Sequence, residues 1–89
     1  MVTRELTINN KSGLHARPAS LWVQTASRFS SKIKIKRGDS VVDGKSILGI
    51  LSLGLSTCSV FELLVEGEDE TEAAASLEKL IIDLENQDR

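Results

Sequence analysis

The sequence predicts an α+β fold, an open-faced β-sandwich of order β-α-β-β-α-β-α in which a four-stranded antiparallel sheet carries three helices on one face. Three observations lead there. Hydrophobicity alternates residue by residue within 2–8, 32–36 and 60–66, the period of a half-buried strand. It recurs every third or fourth residue after Ala16 and again after Asp69, the period of an amphipathic helix. The polar positions of 32–36 are all lysine, so one sheet face is expected to be wet and the other covered.

In the first segment Val2, Leu6 and Ile8 share one side, while Thr3, Glu5, Thr7 and Asn9 take the other; Arg4 interrupts the apolar set. The turn formers Asn10-Lys11-Ser12-Gly13 follow. A helix is expected from Ala16 to Ser30, with Ala19, Trp22, Val23, Ala26 and Phe29 on one face. Pro18 suits its first turn, where a missing N–H costs no helical hydrogen bond. Lys32 to Lys36 then alternates, Arg37-Gly38-Asp39-Ser40 turns, and Val41-Val42 returns as a hairpin strand. A short helix is expected from Ile47 to Leu53, opened by Ser46 as N-cap and closed by Gly54. The segment Val60 to Glu66 is the last strand, ended by Gly67. Asp69 with Glu72 forms a capping-box-like start to a helix whose stripe is Ala73, Leu77, Leu80, Ile81 and Leu84.

Eighty-nine residues, 40% apolar and 27% charged, are expected to form a single domain spanning 1–89. No apolar run approaches the roughly 18 residues of a membrane span, and the N-terminus lacks a hydrophobic signal segment. Cys58 is the only cysteine, which removes an intrachain disulfide and suits a reducing, cytoplasmic compartment. With one histidine and one cysteine the usual structural zinc ligands cannot be assembled, and no metal or other cofactor is expected. The net charge of −2 hides an asymmetry. Residues 1–45 hold nine Lys/Arg against three Asp/Glu, and residues 46–89 hold two against ten, so a basic surface suited to an acidic partner or a phosphate is expected. A nucleic-acid-binding domain using Lys32, Lys34, Lys36 and Arg37 is disfavoured by a pI near 5.3 and by the lack of aromatics on those strands.

The chemistry concentrates in Ser12-Gly13-Leu14-His15-Ala16-Arg17-Pro18. His15, the only histidine, falls at a helix start, where backbone N–H groups and the dipole favour an anion. Arg17 brings a guanidinium able to hold phosphate through two bonds, Gly13 lets the loop approach closely, and Pro18 stiffens the turn. Imidazole is substantially neutral near pH 7, so its nitrogen can attack a phosphoryl donor. On the helix wheel Leu21 lies about 140° from the apolar stripe, beside Arg17, Ser20 and Gln24, and reads as an exposed docking residue. The 47–53 helix is apolar nearly all round, and Leu48 points away from Ile47, Ile50 and Leu51, a surplus that suggests a protein-binding patch.

The stretch Ser12-Gly13-Leu14-His15-Ala16-Arg17-Pro18-Ala19 resembles the active-site motif of HPr, the histidine-containing phosphocarrier of the bacterial phosphoenolpyruvate-dependent sugar phosphotransferase system. Lys45-Ser46-Ile47-Leu48-Gly49 with Ser52-Leu53-Gly54 resembles that family's second signature. The resemblance implies sheet order 1-4-2-3 and a stoichiometric carrier rather than a turnover enzyme. His15 would take a phosphoryl group on Nδ1 from phosphorylated enzyme I and pass it to an enzyme IIA domain. It implies that Arg17 stabilises the phosphate, with Ser12, Gly13, Ala16 and Pro18 building the supporting loop. Leu21, Ile47, Leu48 and Leu51 would form the docking surface, with Ser20 and Gln24 beside it. Ser46 matches a regulatory serine that a kinase/phosphorylase modifies in some bacteria, in service of a transcription regulator. A monomer is the expected state. The Ser56-Thr57-Cys58-Ser59 loop departs from the family's usual glycine-containing turn. The resemblance leaves two alternatives open: a nitrogen-branch phosphocarrier, and a regulatory binding module acting through phosphorylated Ser46.

Overall fold

The computed structural model describes residues 1–8, 16–55 and 59–87, with the side chains of Ala16 and Gln87 set aside. Along the chain run β1 (Val2–Thr7), α1 (Ala16–Ala26), β2 (Lys32–Arg37), β3 (Ser40–Asp43), α2 (Ile47–Ser52), β4 (Val60–Glu66) and α3 (Glu70–Gln87). The four strands form one sheet of order β1-β4-β2-β3, antiparallel throughout.

The alternating patterns do in the sheet what their period requires. Ile33 and Ile35 of β2, Phe61, Leu63 and Val65 of β4 and Leu6 of β1 are buried, while Lys32, Lys34, Lys36, Glu62 and Glu66 are exposed on the other side. The buried face meets Ala19, Trp22 and Ala26 of α1 and Ala73, Ala74, Leu77, Ile81 and Leu84 of α3 in one core. Trp22 anchors it. Its ring stands edge-on to Phe61, with centroids 5.9 Å apart at 75°. Its buried indole Nε1 donates to the Gly44 carbonyl at 3.0 Å, tying α1 to the loop after β3.

Three elements end earlier, or are held differently, than the sequence predicts. The first helix stops at Ala26 rather than Ser30. Arg28 N–H and Phe29 N–H turn to the carbonyls of Thr25 and Ala26, both at 3.2 Å, and the next two N–H groups leave the helix altogether. Ser30 N–H and Ser31 N–H donate to the Asp69 carboxylate at 2.9 and 3.0 Å, and the Ser31 hydroxyl donates to it as well. Asp69 does precede α3, and its main-chain carbonyl accepts from Ala73 N–H at 2.9 Å. Its carboxylate, expected in a capping box with Glu72, instead clamps the exit of α1 from some 38 residues away. Gly67 sits against this clamp at φ +154°, and an added Cβ would lie 2.7 Å from the Ser31 Cα. The short helix ends at Ser52 rather than Leu53, with Leu53 as C-cap and Gly54 at φ +61° just beyond.

The register also rearranges the charge. Although the two halves of the sequence differ in sign, β4 inserts between β1 and β2 and interleaves them. Lys32 lies across from Glu66, Lys36 from Glu62, and Lys34 from Asp43 of β3. Opposite charges facing one another support the sheet, while Glu5 faces Glu62 across the β1–β4 pair. The outer sheet face is therefore a mixed surface rather than a basic one.

The hydrogen bonds from Ser31 and Ser30 hold the Asp69 carboxyl below its ordinary value of 3.8. A depressed carboxyl stabilises the fold above the unfolded value and ceases to do so as pH falls through the folded one. Asp69→Asn is expected to lower Tm by several degrees at neutral pH. The gap to wild type should begin to close below about pH 4 and disappear only at lower pH. Thermal melts of both proteins between pH 7 and pH 2 check this; a gap independent of pH contradicts it.

Candidate functional site

Ser12, Gly13 and His15 lie outside the described residues, as does the 56–58 stretch of the departing loop. From Ala16 onward the site is described. Ala16 is the first residue of α1, so His15 immediately precedes the helix in sequence. The N–H groups of a helix's first turn have no intrahelical acceptors, and here they belong to Ala16, Arg17 and Ala19, since Pro18 has none. No acidic side chain occupies that turn, so the positive end of the helix is not neutralised from within. Pro18 is buried, which fixes the first turn to the core, and Arg17 is exposed beside it.

Further along α1, Ser20 is half-buried and Gln24 exposed. Leu21 differs from expectation: it is half-buried and packs against the core. A wheel drawn for one helix assigns it outward, but α1 packs against both α2 and α3, and the arc it buries is wider than one stripe.

Helix α2 packs against α1 and β3. Ser46 caps it, with extended backbone and an Oγ that accepts from Gly49 N–H at 3.2 Å. Gly49 lies close to β3, where an added Cβ would meet the Val42 Cβ at 3.2 Å. Ile50 is the only α2 residue that is buried. Leu48 is 80% exposed, Ile47 39% and Leu51 37%, a cluster of large apolar side chains open to solvent. The structure thus brings Ser46 and the three apolar positions onto one short helix that abuts the helix carrying Arg17 and Leu21.

Two further contacts hold this region, and the local sequence signals neither. The Lys45 Nζ donates to the Phe29 carbonyl at 2.7 Å, joining the loop before α2 to the exit of α1. The Arg37 Nη1 donates to the carbonyls of Leu53 and Gly54 at 2.6 and 2.9 Å, at the end of α2. The partners are 16 or 17 residues distant, beyond any helical or strand period. Arg37 therefore works inside the fold rather than as part of a nucleic-acid-binding stripe. No helix among the described residues is long and apolar enough to cross a membrane.

The site thus sits on a small open-faced α+β sandwich, in which a helix with an arginine in its first turn packs against a serine-capped apolar helix. Residues 2–83 match the family described as "PTS HPr component phosphorylation site". The chain belongs to that family, the HPr phosphocarriers of the phosphotransferase system. It is 45% identical over 80 residues to the phosphocarrier protein HPr of Treponema pallidum (strain Nichols), covering 90% of this chain and 91% of that one. It is likewise 45% identical over 80 residues to the HPr-like protein Crh of Bacillus subtilis (strain 168), with the same coverage. The crystal structure of HPr-C-His from Thermoanaerobacter tengcongensis superposes with a TM-score of 0.92 at 49% identity, over 97% of each chain.

The exposure pattern of α2 separates side chains that hold the fold from those that do not. Leu48→Ser is expected to change stability by less than about 0.5 kcal/mol, as surface substitutions do. Ile50→Ala is expected to cost about 2–5 kcal/mol through lost burial and a cavity. Urea unfolding of the two variants measures both; equal losses would show that α2 is seated differently.

Proposed function

We propose that the chain, acting as one HPr-like domain, accepts a phosphoryl group on His15 from phosphorylated enzyme I and delivers it to enzyme IIA domains in sugar uptake. The observation that carries this reading is the start of α1 at Ala16, directly after the only histidine, with exposed Arg17 in the first turn of a chain that the HPr family matches over residues 2–83. In the reaction the Nδ1 lone pair of neutral His15 attacks phosphorus. The new P–N bond forms as the donor's bond to phosphorus breaks, and no proton need cross between the partners. Arg17 and the N–H groups of the first turn supply positive potential to the three oxygens in both the transition state and the phosphorylated form. The exposed Ile47, Leu48 and Leu51, with half-buried Leu21 on the adjoining helix, supply an apolar face for transient docking. The protein is consumed and regenerated by its partners, so it is a carrier rather than an enzyme, and it works as a cytoplasmic monomer.

A second layer of the reading is regulation at Ser46, and the likeness to Crh favours it. The solution structure of Crh is described as that of the Bacillus subtilis catabolite repression HPr. A phosphate on Ser46 would set about two negative charges beside Ile47 and Leu48, where they would repel an acidic partner and alter the docking face. The presence of His15 supports regulation added to carriage, not regulation in its place.

With phosphoenolpyruvate, Mg²⁺ and enzyme I, the protein is expected to gain one acid-labile phosphate that His15→Ala eliminates without unfolding. Arg17→Ala should slow transfer on the order of a hundredfold, the scale of one lost charge-stabilising donor. Intact mass before and after acid treatment decides it, and an unmodified His15 ends the carrier reading. Separately, Ser46→Asp is expected to raise the KM of enzyme I for the carrier by about tenfold, the order of effect of one charge set against an interface. Phosphoryl-transfer kinetics at two salt concentrations test it, because the effect should shrink as ionic strength screens the charge.

A further inference from the structure

We infer that Arg37 is a positioning residue for the docking face, fixing α2 from its C-terminal end; this rests on the reading above that Ile47, Leu48 and Leu51 meet the partners.

Helix α2 is six residues long, too short to persist alone, so its orientation must come from what holds it. Ile50 is buried within the helix and Leu53 at its C-cap, while Ile47, Leu48 and Leu51 are open to solvent. These two anchors and the close backbone approach at Gly49 seat α2, and polar ties hold both of its ends. At the N-terminus the Ser46 Oγ receives Gly49 N–H. The C-terminal end of a helix carries the negative end of the dipole. Just past it the Arg37 Nη1 lies between two carbonyls, 2.6 Å from that of the C-cap Leu53 and 2.9 Å from that of Gly54. A guanidinium donor makes these bonds charge-assisted.

The strut is anchored firmly at its other end. Arg37 is the last residue of β2 and pairs with Ser40 across a two-residue turn. β2 is an inner strand, bonded to β4 on one side and β3 on the other. Arg37 therefore connects the turn end of an inner strand to the C-cap of the helix that displays the apolar patch. Loss of this link should leave the core intact and let α2 change tilt, scattering Leu48 and Leu51 relative to Leu21.

The experiment compares wild type, Arg37→Ala, Arg37→Lys and Leu48→Asp as substrates of enzyme I with phosphoenolpyruvate, alongside residue-resolved amide exchange. Arg37→Ala is expected to raise KM about three- to tenfold, the range of one ordinary net hydrogen bond, with kcat within about twofold of wild type. Amide exchange should accelerate within 50–55 and stay unchanged in β2 and β4. Arg37→Lys should recover part of the KM, because an ammonium can reach the same carbonyls. An unchanged KM for Arg37→Ala, acceleration spread evenly over the sheet, or no recovery with lysine overturns the inference. Leu48→Asp separates the two claims. If it raises KM while Arg37→Ala does not, docking by α2 stands and the role of Arg37 fails; if Leu48→Asp leaves KM unchanged, the docking reading itself fails.

Discussion

The contact between one sheet face and two helices is what every other feature of this molecule leans on. Leu6, Ile33, Ile35, Phe61, Leu63 and Val65 present a continuous apolar surface, and α1 and α3 cover it with Trp22 at the centre. A four-stranded sheet of this size has one such face to bury, and its other face is closed to further packing by lysines and glutamates. All helices must then gather on one side. That leaves the start of α1 and the whole of α2 at the margin of the layer, where they can be held by the core without being enclosed in it.

Marginal position suits a carrier. A group passed between two proteins must be reachable by both, so the acceptor has to lie at the surface on a scaffold rigid enough to present it the same way each time. Buried Pro18 and Ala19 fasten the first turn of α1 to the core while Arg17 faces solvent. On α2 the same division falls between buried Ile50, with Leu53 at the C-cap, and exposed Leu48, and polar ties hold both helix ends. The relation to HPr and Crh proteins over nearly the whole chain gives this arrangement its context.

Much of this was legible in the residues. Strand period in 32–36 and 60–66, helix period after Ala16 and Asp69, the serine cap at Ser46 and the glycine beyond Leu53 are local signals, and each yields its element within a few residues. The histidine-arginine-proline cluster points to phosphate chemistry for the same reason: its parts are neighbours in sequence. What could not be read is what depends on distant partners. The end of α1 is set by a carboxylate from the start of α3. Leu21 is half-buried because α1 contacts two helices rather than one. The basic and acidic halves of the chain cancel on the sheet because strand order places β4 beside β2.

By itself, then, the order of residues determined the elements and most of the apolar side of each, and it set His15, Arg17 and Pro18 side by side, because these follow from spacings of four residues or fewer. Tertiary structure alone decided where α1 stops, which carbonyls Arg37 and Lys45 hold, and which charges face one another. Those outcomes depend on bringing side chains 16 or more residues apart within 3 Å of their partners, and no local pattern encodes such a distance.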